Sequence, residues 1–215
     1  MLFRSILGDK FQKRMKSKGC IGLIKVNQKN ILQLQYRNIK NLFPSAKILY
    51  VCGFESKKLL SFIEKYKDQF PDLTGINNRN YELYNSAYSL YLALGKCDDE
   101  CCILFGDNLL EYKHLSEINK TPYCKALIDK KNKNKLGCII NQNHNIENIC
   151  YDLDNYLCEV YYISKDNIAI IKKILENRLY HNCFIFEIIN KLIDQIDIHP
   201  LFVNSIKKNR VLKYD

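Results

Sequence analysis

Two groups of charged residues in this sequence have the type and spacing to do chemistry together. The first is a strongly basic segment near the start of the chain that holds Lys10, Lys13, Arg14, Lys16 and Lys18. The second is Asp107, which directly follows the apolar run Cys101–Phe105 and stands in a Gly-Asp-Asn sequence. Clustered cations attract anions, including phosphate esters. If the fold brings the two groups together, an anion held by the basic segment would lie beside a carboxylate.

Each group also has an ordinary structural explanation. Gly-Asp-Asn is a common turn sequence, and Arg14 can be a solvated charge in a basic loop. For Asp107 we favour a ligand role, because the apolar strand before it would deliver its side chain into a crevice at the strand ends. For Arg14 both interpretations stay open.

The elements that must position these residues alternate between strands and helices. In the first half, the spacing of apolar residues predicts strands at Met1–Leu7, Leu23–Val26, Lys47–Val51, Leu73–Ile76 and Cys101–Phe105. Apolar spacing and capping residues predict helices at Ile31–Leu42, from Ser56 to Tyr66, and from Asn85 or Ser86 to Leu94. Buried strands in such an alternation favour an α/β fold, with a mostly parallel, twisted sheet in a single-domain three-layer α/β/α arrangement. Ligands bind at the carboxyl ends of such strands, so we expect the basic loop and Asp107 to meet there.

The second half has a weaker pattern. It predicts strands at Lys125–Asp129, Cys138–Ile140, Leu157–Ile163, Ile196–Val203 and Val211–Tyr214, a turn region at Asn141–Asn148, and helices at Asn167–Leu179 and Phe184–Ile193. We therefore expect the sheet to continue into this half.

Composition limits the class of protein. The chain has 215 residues, 47% of them hydrophobic, and a formal net charge of +10, which predicts one globular domain that attracts polyanions. No recognition helix or aromatic-lined basic groove favours nucleic acid over a nucleotide as the anion. The apolar runs are far shorter than the roughly 18 residues that a membrane span requires. No small-residue cleavage site follows Met1–Leu7, so we expect a cytoplasmic location.

The ten cysteines do not have the spacing of a metal site or a disulfide framework. Cys97, Cys101 and Cys102 form a cluster, but no CxxC pair or nearby histidine completes the four ligands of structural zinc. We therefore predict reduced thiols that mostly behave as small buried hydrophobes.

Four blocks in order along the chain resemble the sugar-phosphate nucleotidyltransferases, and within them the choline-phosphate cytidylyltransferase branch. The blocks are Gly22–Leu32, Lys47–Phe54, Asn77-Asn78 with Tyr84–Leu90, and Ile103–Leu109. The resemblance implies that an acceptor phosphate oxygen attacks the α-phosphorus of a nucleoside triphosphate, with CTP or UTP favoured, and that pyrophosphate leaves. It also implies a role in nucleotide-sugar biosynthesis and leaves a homo-oligomeric state open.

The resemblance further implies a role for individual residues. Mg²⁺ would be held by Asp107 and Asp215, and catalysis would rest on Arg14, Lys25 and Asp107. The nucleotide would be bound by Gly8, Arg14, Asn85 and Ser86. The phosphorylated sugar or alcohol would be bound by Tyr84, Tyr88, Asp129 and Glu159. Residues 1–110 would be the nucleotide-binding half of the single domain 1–215, and residues 111–215 the acceptor-binding half.

The sequence also departs from the family pattern. If Arg14 matches the arginine of the family's GxGxR loop, Lys10 and Gln12 stand at its glycine positions, and Lys213 stands where one of two metal-binding acids is expected. Two other interpretations therefore stay open: a catalytically inactive protein of this fold with a structural or regulatory binding role, and a GT-A-type glycosyltransferase. Helix capping remains the ordinary alternative for Asn85 and Ser86, and core packing for Tyr84 and Tyr88.

Overall fold

The computed structural model describes residues 19–26, 28–106, 116–118, 122–129 and 136–203. Its helices are α1 (Ile31–Leu42), α2 (Ser56–Lys65), α3 (Ser86–Leu94), α4 (Ile168–Glu176) and α5 (Ile185–Ile193). Its strands are β1 (Lys25–Val26), β2 (Lys29–Asn30), β3 (Ile48–Cys52), β4 (Leu73–Asn77), β5 (Cys101–Leu104), β6 (Cys124–Asp129), β7 (Leu136–Ile140), β8 (Ile146–Tyr151), β9 (Tyr156–Ile163) and β10 (Ile198–Val203). Within these residues, no helix is both long and apolar enough to cross a membrane.

Helix α1 begins where its sequence provides a cap. The Asn30 side chain accepts a hydrogen bond from the Gln33 backbone at 2.9 Å, and the Gln33 side chain accepts one from the Asn30 backbone at 3.1 Å. This capping box satisfies amides that the first turn of a helix leaves without partners. Ile31 and Leu32 are buried at the same end of the helix. The short antiparallel pair β1–β2 leads directly into this cap.

The described strands form a six-stranded sheet, which contains β5 to β10, and two two-stranded sheets, β1–β2 and β3–β4. Both parallel and antiparallel pairs occur. Strands β3 and β4 are parallel, and so are β6 and β10. Strand β9 is antiparallel to β5 and β6, and β7 is antiparallel to β8 and β9. Because β5 and β6 both oppose β9, they run in the same direction as each other and as β10.

Helices cover both faces of the sheet. On one face, α3, α4 and α5 pack over β6 and β9 through a core that includes Leu90, Ile171 and Ile188. On the other face, the end of α1 packs over the same strands at Leu42, near the buried residue Leu127. A third cluster joins α1 and α2 to β3 and β4. The expected α/β class, with helices on both sides of a sheet, is confirmed.

Some elements differ from the sequence-based expectation. Strand β8 was not predicted, because its burial does not alternate along Ile146–Tyr151 and gives no strand pattern. It takes up the last three residues of the region predicted as a turn, Asn141–Asn148, and residues 141–145 do not belong to a strand. Ser56 is the first helical residue of α2, and Glu55 precedes it as the N-cap in a left-handed conformation. Helix α4 ends at Glu176, and a 3₁₀ helix follows at Arg178–Asn182. The strands predicted at Met1–Leu7 and Val211–Tyr214 lie outside the described residues.

Candidate functional site

The carboxyl ends of three strands define one edge of the sheet. Strands β5, β6 and β10 run in the same direction and end at Leu104, Asp129 and Val203. Val203 is level with Asp129, which is opposite Tyr156 of β9, whereas Leu104 is opposite Val160, four residues away along β9. The Asp129 side chain at this edge is buried. The segment that follows β5 is anchored by Gln35 of α1, whose Nε2 donates a hydrogen bond to the Phe105 carbonyl at 3.3 Å. Gly106 comes next, and Asp107 is its neighbour in sequence.

A second part of the site lies where β3 and β4 end. The backbone N–H of Asn78 donates to the Cys52 carbonyl at 2.8 Å and continues the parallel pairing by one residue. Gly53 follows β3 and lies directly under Tyr81. A Cβ at position 53 would be 2.2 Å from the Tyr81 Cβ. Only glycine allows this close approach, so Gly53 permits the 79–85 loop to fold over the end of β3.

Asn78 joins the strand ends to α3. Its side chain is 1% exposed, and its Nδ2 donates to Ser89 Oγ at 3.0 Å. Its Oδ1 accepts from the Asn80 backbone at 3.0 Å, and Asn80 Nδ2 donates to the Tyr88 hydroxyl at 3.1 Å. A buried amide with these partners fixes the loop, because losing any of them would leave a polar group unsatisfied.

Tyr84 and Tyr88 form an aromatic cluster with Tyr91 and His181. The ring centroids of Tyr84 and Tyr88 are 4.7 Å apart, and those of Tyr88 and His181 are 4.9 Å apart. His181 is buried, and its Nε2 lies 3.0 Å from the Leu175 carbonyl, which requires a proton on Nε2. The cluster therefore packs α3 against the 3₁₀ helix at Arg178–Asn182.

Asn85 and Ser86 have partners within the protein. Asn85 is the N-cap of α3, and its Oδ1 accepts from the Ser86 backbone at 2.9 Å. Ser86 is buried, and its Oγ accepts from the Ile185 backbone at 3.0 Å, which ties the starts of α3 and α5 together. The Asn85 backbone N–H donates to the His181 carbonyl at 2.9 Å. These contacts give both residues a positioning role.

The remaining described candidates lie apart from the strand ends of β3 and β4. Lys25 is exposed in the β1–β2 hairpin, opposite Asn30 in the strand register. Glu159 lies within β9 in a left-handed conformation, at φ 56°. Burial raises the pKa of Tyr151 and of Tyr161, and the negative charge of Glu159 adds to that increase. Glu159 therefore lies near these two phenols.

Four predicted site residues fall outside the described part of the chain: Gly8, Arg14, Asp107 and Asp215. Within the described part, no cluster of three or more His, Cys, Asp or Glu side chains has the geometry of a metal site. The ten cysteines, all of which are described, are free thiols, and half of them are buried.

Sequence reasoning did not single out Gly53, Tyr81, Ser89 or His181 as functional candidates. A glycine directly after the apolar strand Ile48–Cys52 is a recognisable signal of a tight turn or a close approach. The contacts of Ser89 and His181 depend on helix packing across the chain, and local spacing gives no sign of them.

The layered α/β arrangement is a fold that solved nucleotidyltransferase structures share. Neither a protein-family model nor a curated protein matches the sequence. Solved structures share the fold over most of the chain.

Three of these structures show the extent of the likeness. CTP:phosphocholine cytidylyltransferase from Streptococcus pneumoniae is 16% identical with a TM-score of 0.65, over 86% of this chain and 80% of that protein. The inositol-1-phosphate CTP transferase from T. maritima is 14% identical with a TM-score of 0.66, over 86% and 77%. The nucleoside-diphosphate-sugar pyrophosphorylase from Vibrio cholerae is 10% identical with a TM-score of 0.68, over 86% and 84%. At these identities the likeness establishes the fold, in agreement with the family resemblance of the sequence.

Proposed function

We propose that this protein is a nucleotidyltransferase that couples a nucleoside triphosphate to a phosphorylated sugar or alcohol and releases pyrophosphate. The observation that carries the proposal is the fold shared with the three solved structures, whose names include cytidylyl transfer to phosphocholine, CTP transfer to inositol 1-phosphate and pyrophosphorolysis of a nucleoside-diphosphate sugar. CTP and UTP are the favoured nucleotides.

The reaction needs alignment and charge neutralisation more than it needs reactive side chains. An acceptor phosphate oxygen forms a bond to the α-phosphorus, and the bond from that phosphorus to the bridging oxygen breaks as pyrophosphate leaves. The chain must therefore hold two highly charged molecules in line. A net charge of +10 favours their approach.

The proposal assigns the phosphates to the basic segment and to the β1–β2 hairpin. Arg14 would bind phosphate oxygens through its planar guanidinium, with Gly8 allowing the backbone to approach. Lys25 is exposed beside the α1 cap and can extend towards a phosphate group. The assignment for Gly8 and Arg14 rests on the sequence.

Magnesium is the proposed cofactor, and Asp107 and Asp215 are its proposed ligands. Mg²⁺ prefers hard oxygen ligands, usually one or two carboxylates together with phosphates and water, so these side chains fit the ion chemically. Its contribution would be to neutralise phosphate charge. Asp107 directly follows Gly106, which lies in the turn after β5.

In this proposal, the described polar residues stabilise the start of α3 and the 79–85 loop. Asn85 and Ser86 fix the start of α3 through their cap and their contact with α5. Tyr84 and Tyr88 support the 79–85 loop through their contacts with each other and with His181. Their contribution to nucleotide and acceptor binding is therefore indirect.

Asp129 and Glu159 are the proposed acceptor residues in the second half of the chain. Asp129 ends β6 at the carboxyl edge, beside Val203 of β10 in the strand register. Glu159 lies within β9, which pairs with β6 through an irregular register next to Ala126 and Ile128. Glu159 lies between Leu157 and Tyr161, in the stretch of β9 where this register shifts, and it is the one charged residue of the strand.

The experiment that tests the proposal is a pyrophosphate-release assay. The full-length protein would be mixed with Mg²⁺, one of CTP, UTP, GTP, ATP and dTTP, and one of phosphocholine, inositol 1-phosphate and glucose 1-phosphate. We expect release that requires both a triphosphate and an acceptor, and a loss of about 100-fold or more in Asp107→Ala. The matched control is Asp68→Ala. Asp68 is an exposed acid in the 3₁₀ helix Lys67–Gln69, which precedes β4 and lies at the opposite end of that strand from Asn77.

The same assay separates the proposal from its strongest competitor. The sequence has Lys10 and Gln12 at the family's glycine positions and Lys213 at one of its acidic positions. These departures favour an inactive binding protein as the second candidate. A triphosphate that binds without any release of pyrophosphate, across all of these acceptors, would favour that candidate over the transferase.

A further inference from the structure

Two strands have an edge without a strand partner among the described residues, and both of them line the same cavity. Strand β3 pairs with β4 alone, and β5 pairs with β9 alone. Every residue of Ile48–Cys52 and of Cys101–Leu104 lines a cavity of about 1750 Å³. The cavity therefore lies between the two-stranded sheet β3–β4 and the six-stranded sheet.

Helices border the other two sides of this cavity. Gln35 and Leu42 of α1 line it, and so do Ser89 and Leu90 of α3. These two helices pack on opposite faces of the six-stranded sheet. Two strands and two helices on opposite faces enclose the space that one strand takes in the middle layer of an α/β fold.

The two strands that border the cavity run in the same direction. Residues 78–85 join β4 to α3, and residues 95–100 join α3 to β5. A strand, a helix and a second strand with such short connections form a crossover unit, in which the two strands are parallel. Strand β5 is therefore parallel to β4 and also to β3, which pairs with β4 in parallel.

Strand β3 has the features of an inner strand that lacks a neighbour. It is apolar, but Ile48, Leu49, Tyr50 and Val51 are only partly buried by the described residues. Inner strands of a parallel sheet are hydrogen-bonded on both edges, because buried backbone N–H and C=O groups need partners. The cavity beside β3 is therefore a position for one more strand.

We propose that Met1–Leu7, which lie outside the described residues, occupy this cavity as a strand that pairs with β3 on one side and with β5 on the other. The segment is apolar except for Arg4 and Ser5, and a nearly continuous apolar run is typical of a strand that is buried on both faces. At about 3.3 Å per residue its seven residues extend about 23 Å, which exceeds the length of β3. The two sheets would then form one, and this inference does not depend on the proposed function.

The course of the chain supports this occupant over the other end of the chain. Cys20 and Ile21, next to the point where the described chain begins, line the cavity, whereas Val203, where it ends, does not. Gly22 lies against β3, since a Cβ there would be 2.8 Å from the Tyr50 hydroxyl oxygen. Residues 8–18 are 11 residues long and can span at most about 36–40 Å, which leaves Leu7 within reach of the cavity.

Hydrogen–deuterium exchange of the full-length protein, read by peptic digestion and mass spectrometry, tests the proposal without any substitution. We expect the amides of residues 3–7 to exchange as slowly as those of β3, and at least about 100-fold more slowly than in an unstructured chain. Fast exchange of residues 3–7 would overturn the proposal. Slow exchange at residues 211–214 with fast exchange at residues 3–7 would overturn it as well, and would identify the other end of the chain as the occupant.

Two phenylalanines of the same terminal segment provide a matched pair of variants. Phe3 lies in the proposed strand, and Phe11 lies in the polar stretch that follows it. We expect Phe3→Ala to lower the thermal unfolding midpoint by about 6–20 °C, because it removes a ring from a buried layer. Phe11→Ala should lower the midpoint by less than about 2 °C. Equal shifts in the two variants would contradict the proposal.

The last measurement asks which copy of the chain supplies the strand. We expect light scattering to show that the slow exchange of residues 3–7 persists in a monomer. A dimer that loses this slow exchange when it is diluted into monomers would overturn the proposal, because a second copy would then supply the strand.

Discussion

At the scale of single residues, Asn78 does more than cap a strand. Its backbone extends the β3–β4 pairing through Cys52, and its side chain reaches Ser89 of α3 and the backbone of Asn80. Because the side chain is 1% exposed, water cannot replace these partners. One residue therefore holds three segments of the candidate site in register.

Replacing Asn78 by alanine should destabilise the protein by about 1–3 kcal/mol, since it leaves the Ser89 hydroxyl and the Asn80 amide without their buried partner. The free energy of unfolding in urea measures the effect. Asn77→Ala changes the neighbouring exposed residue and should cost less than about 0.5 kcal/mol. Equal losses in the two variants would show that the buried network contributes nothing specific to stability.

The role of Asn78 could be predicted only in part from the sequence. An Asn-Asn pair after an apolar strand indicates a strand end, and its place in a family-like block points to a ligand-binding edge. The contact joins Asn78 to Ser89, 11 positions later in the sequence, and no local rule specifies it. The same limit applies to Ser86. Its position at the start of a helix can be predicted from the sequence, but its contact with Ile185 cannot.

At the scale of secondary-structure elements, two glycines at element ends have opposite surroundings. Gly53 after β3 has Tyr81 directly above it, where a Cβ would be 2.2 Å from the Tyr81 Cβ. Gly95 after α3 has a helical conformation, with φ −62° and ψ −10°, and the nearest atoms to an added Cβ are 3.6 Å away. The same substitution should therefore act in opposite directions at the two sites.

Gly53→Ala should cost about 1–3 kcal/mol, because the 79–85 loop must move away from the strand end. Gly95→Ala should stabilise the protein by about 0.4–1 kcal/mol, because alanine adopts the native backbone conformation and has fewer unfolded conformations to lose. Thermal and urea unfolding of both variants measure these changes. If Gly53→Ala were as stable as the wild type, that result would contradict the close packing of Tyr81 on Gly53.

Strongly periodic elements were predictable, and strands without a pattern were not. The helix predicted at Ile31–Leu42 is confirmed with the same bounds, because it combines apolar spacing with a capping residue. Strand β8 was missed, since only Ile146 and Ile149 of its six residues are buried. The antiparallel direction of β9 could also not be predicted from the sequence, because a strand that is buried on both faces has the same composition whether it runs parallel or antiparallel to its neighbours.

At the scale of the whole molecule, the fold, the charge and the polar edge agree with one another. The α/β arrangement places the loop after β4 and the start of α3 beside the ends of β3 and β4. The formal charge of +10 favours anionic ligands without choosing among them. The identity of the ligand therefore depends on the site, and in the proposed function that site depends most on Asp107, which follows β5 in the sequence.

Calorimetric titration of the protein with CTP, UTP, GTP, ATP and dTTP, each with and without Mg²⁺, tests the central claim most directly. We expect one triphosphate to bind only when Mg²⁺ is present, with binding lost in Asp107→Ala and retained in the matched control Asp68→Ala. Absence of binding by all five triphosphates at millimolar concentration, or binding that is unaffected by both Mg²⁺ and Asp107→Ala, would contradict the proposed function.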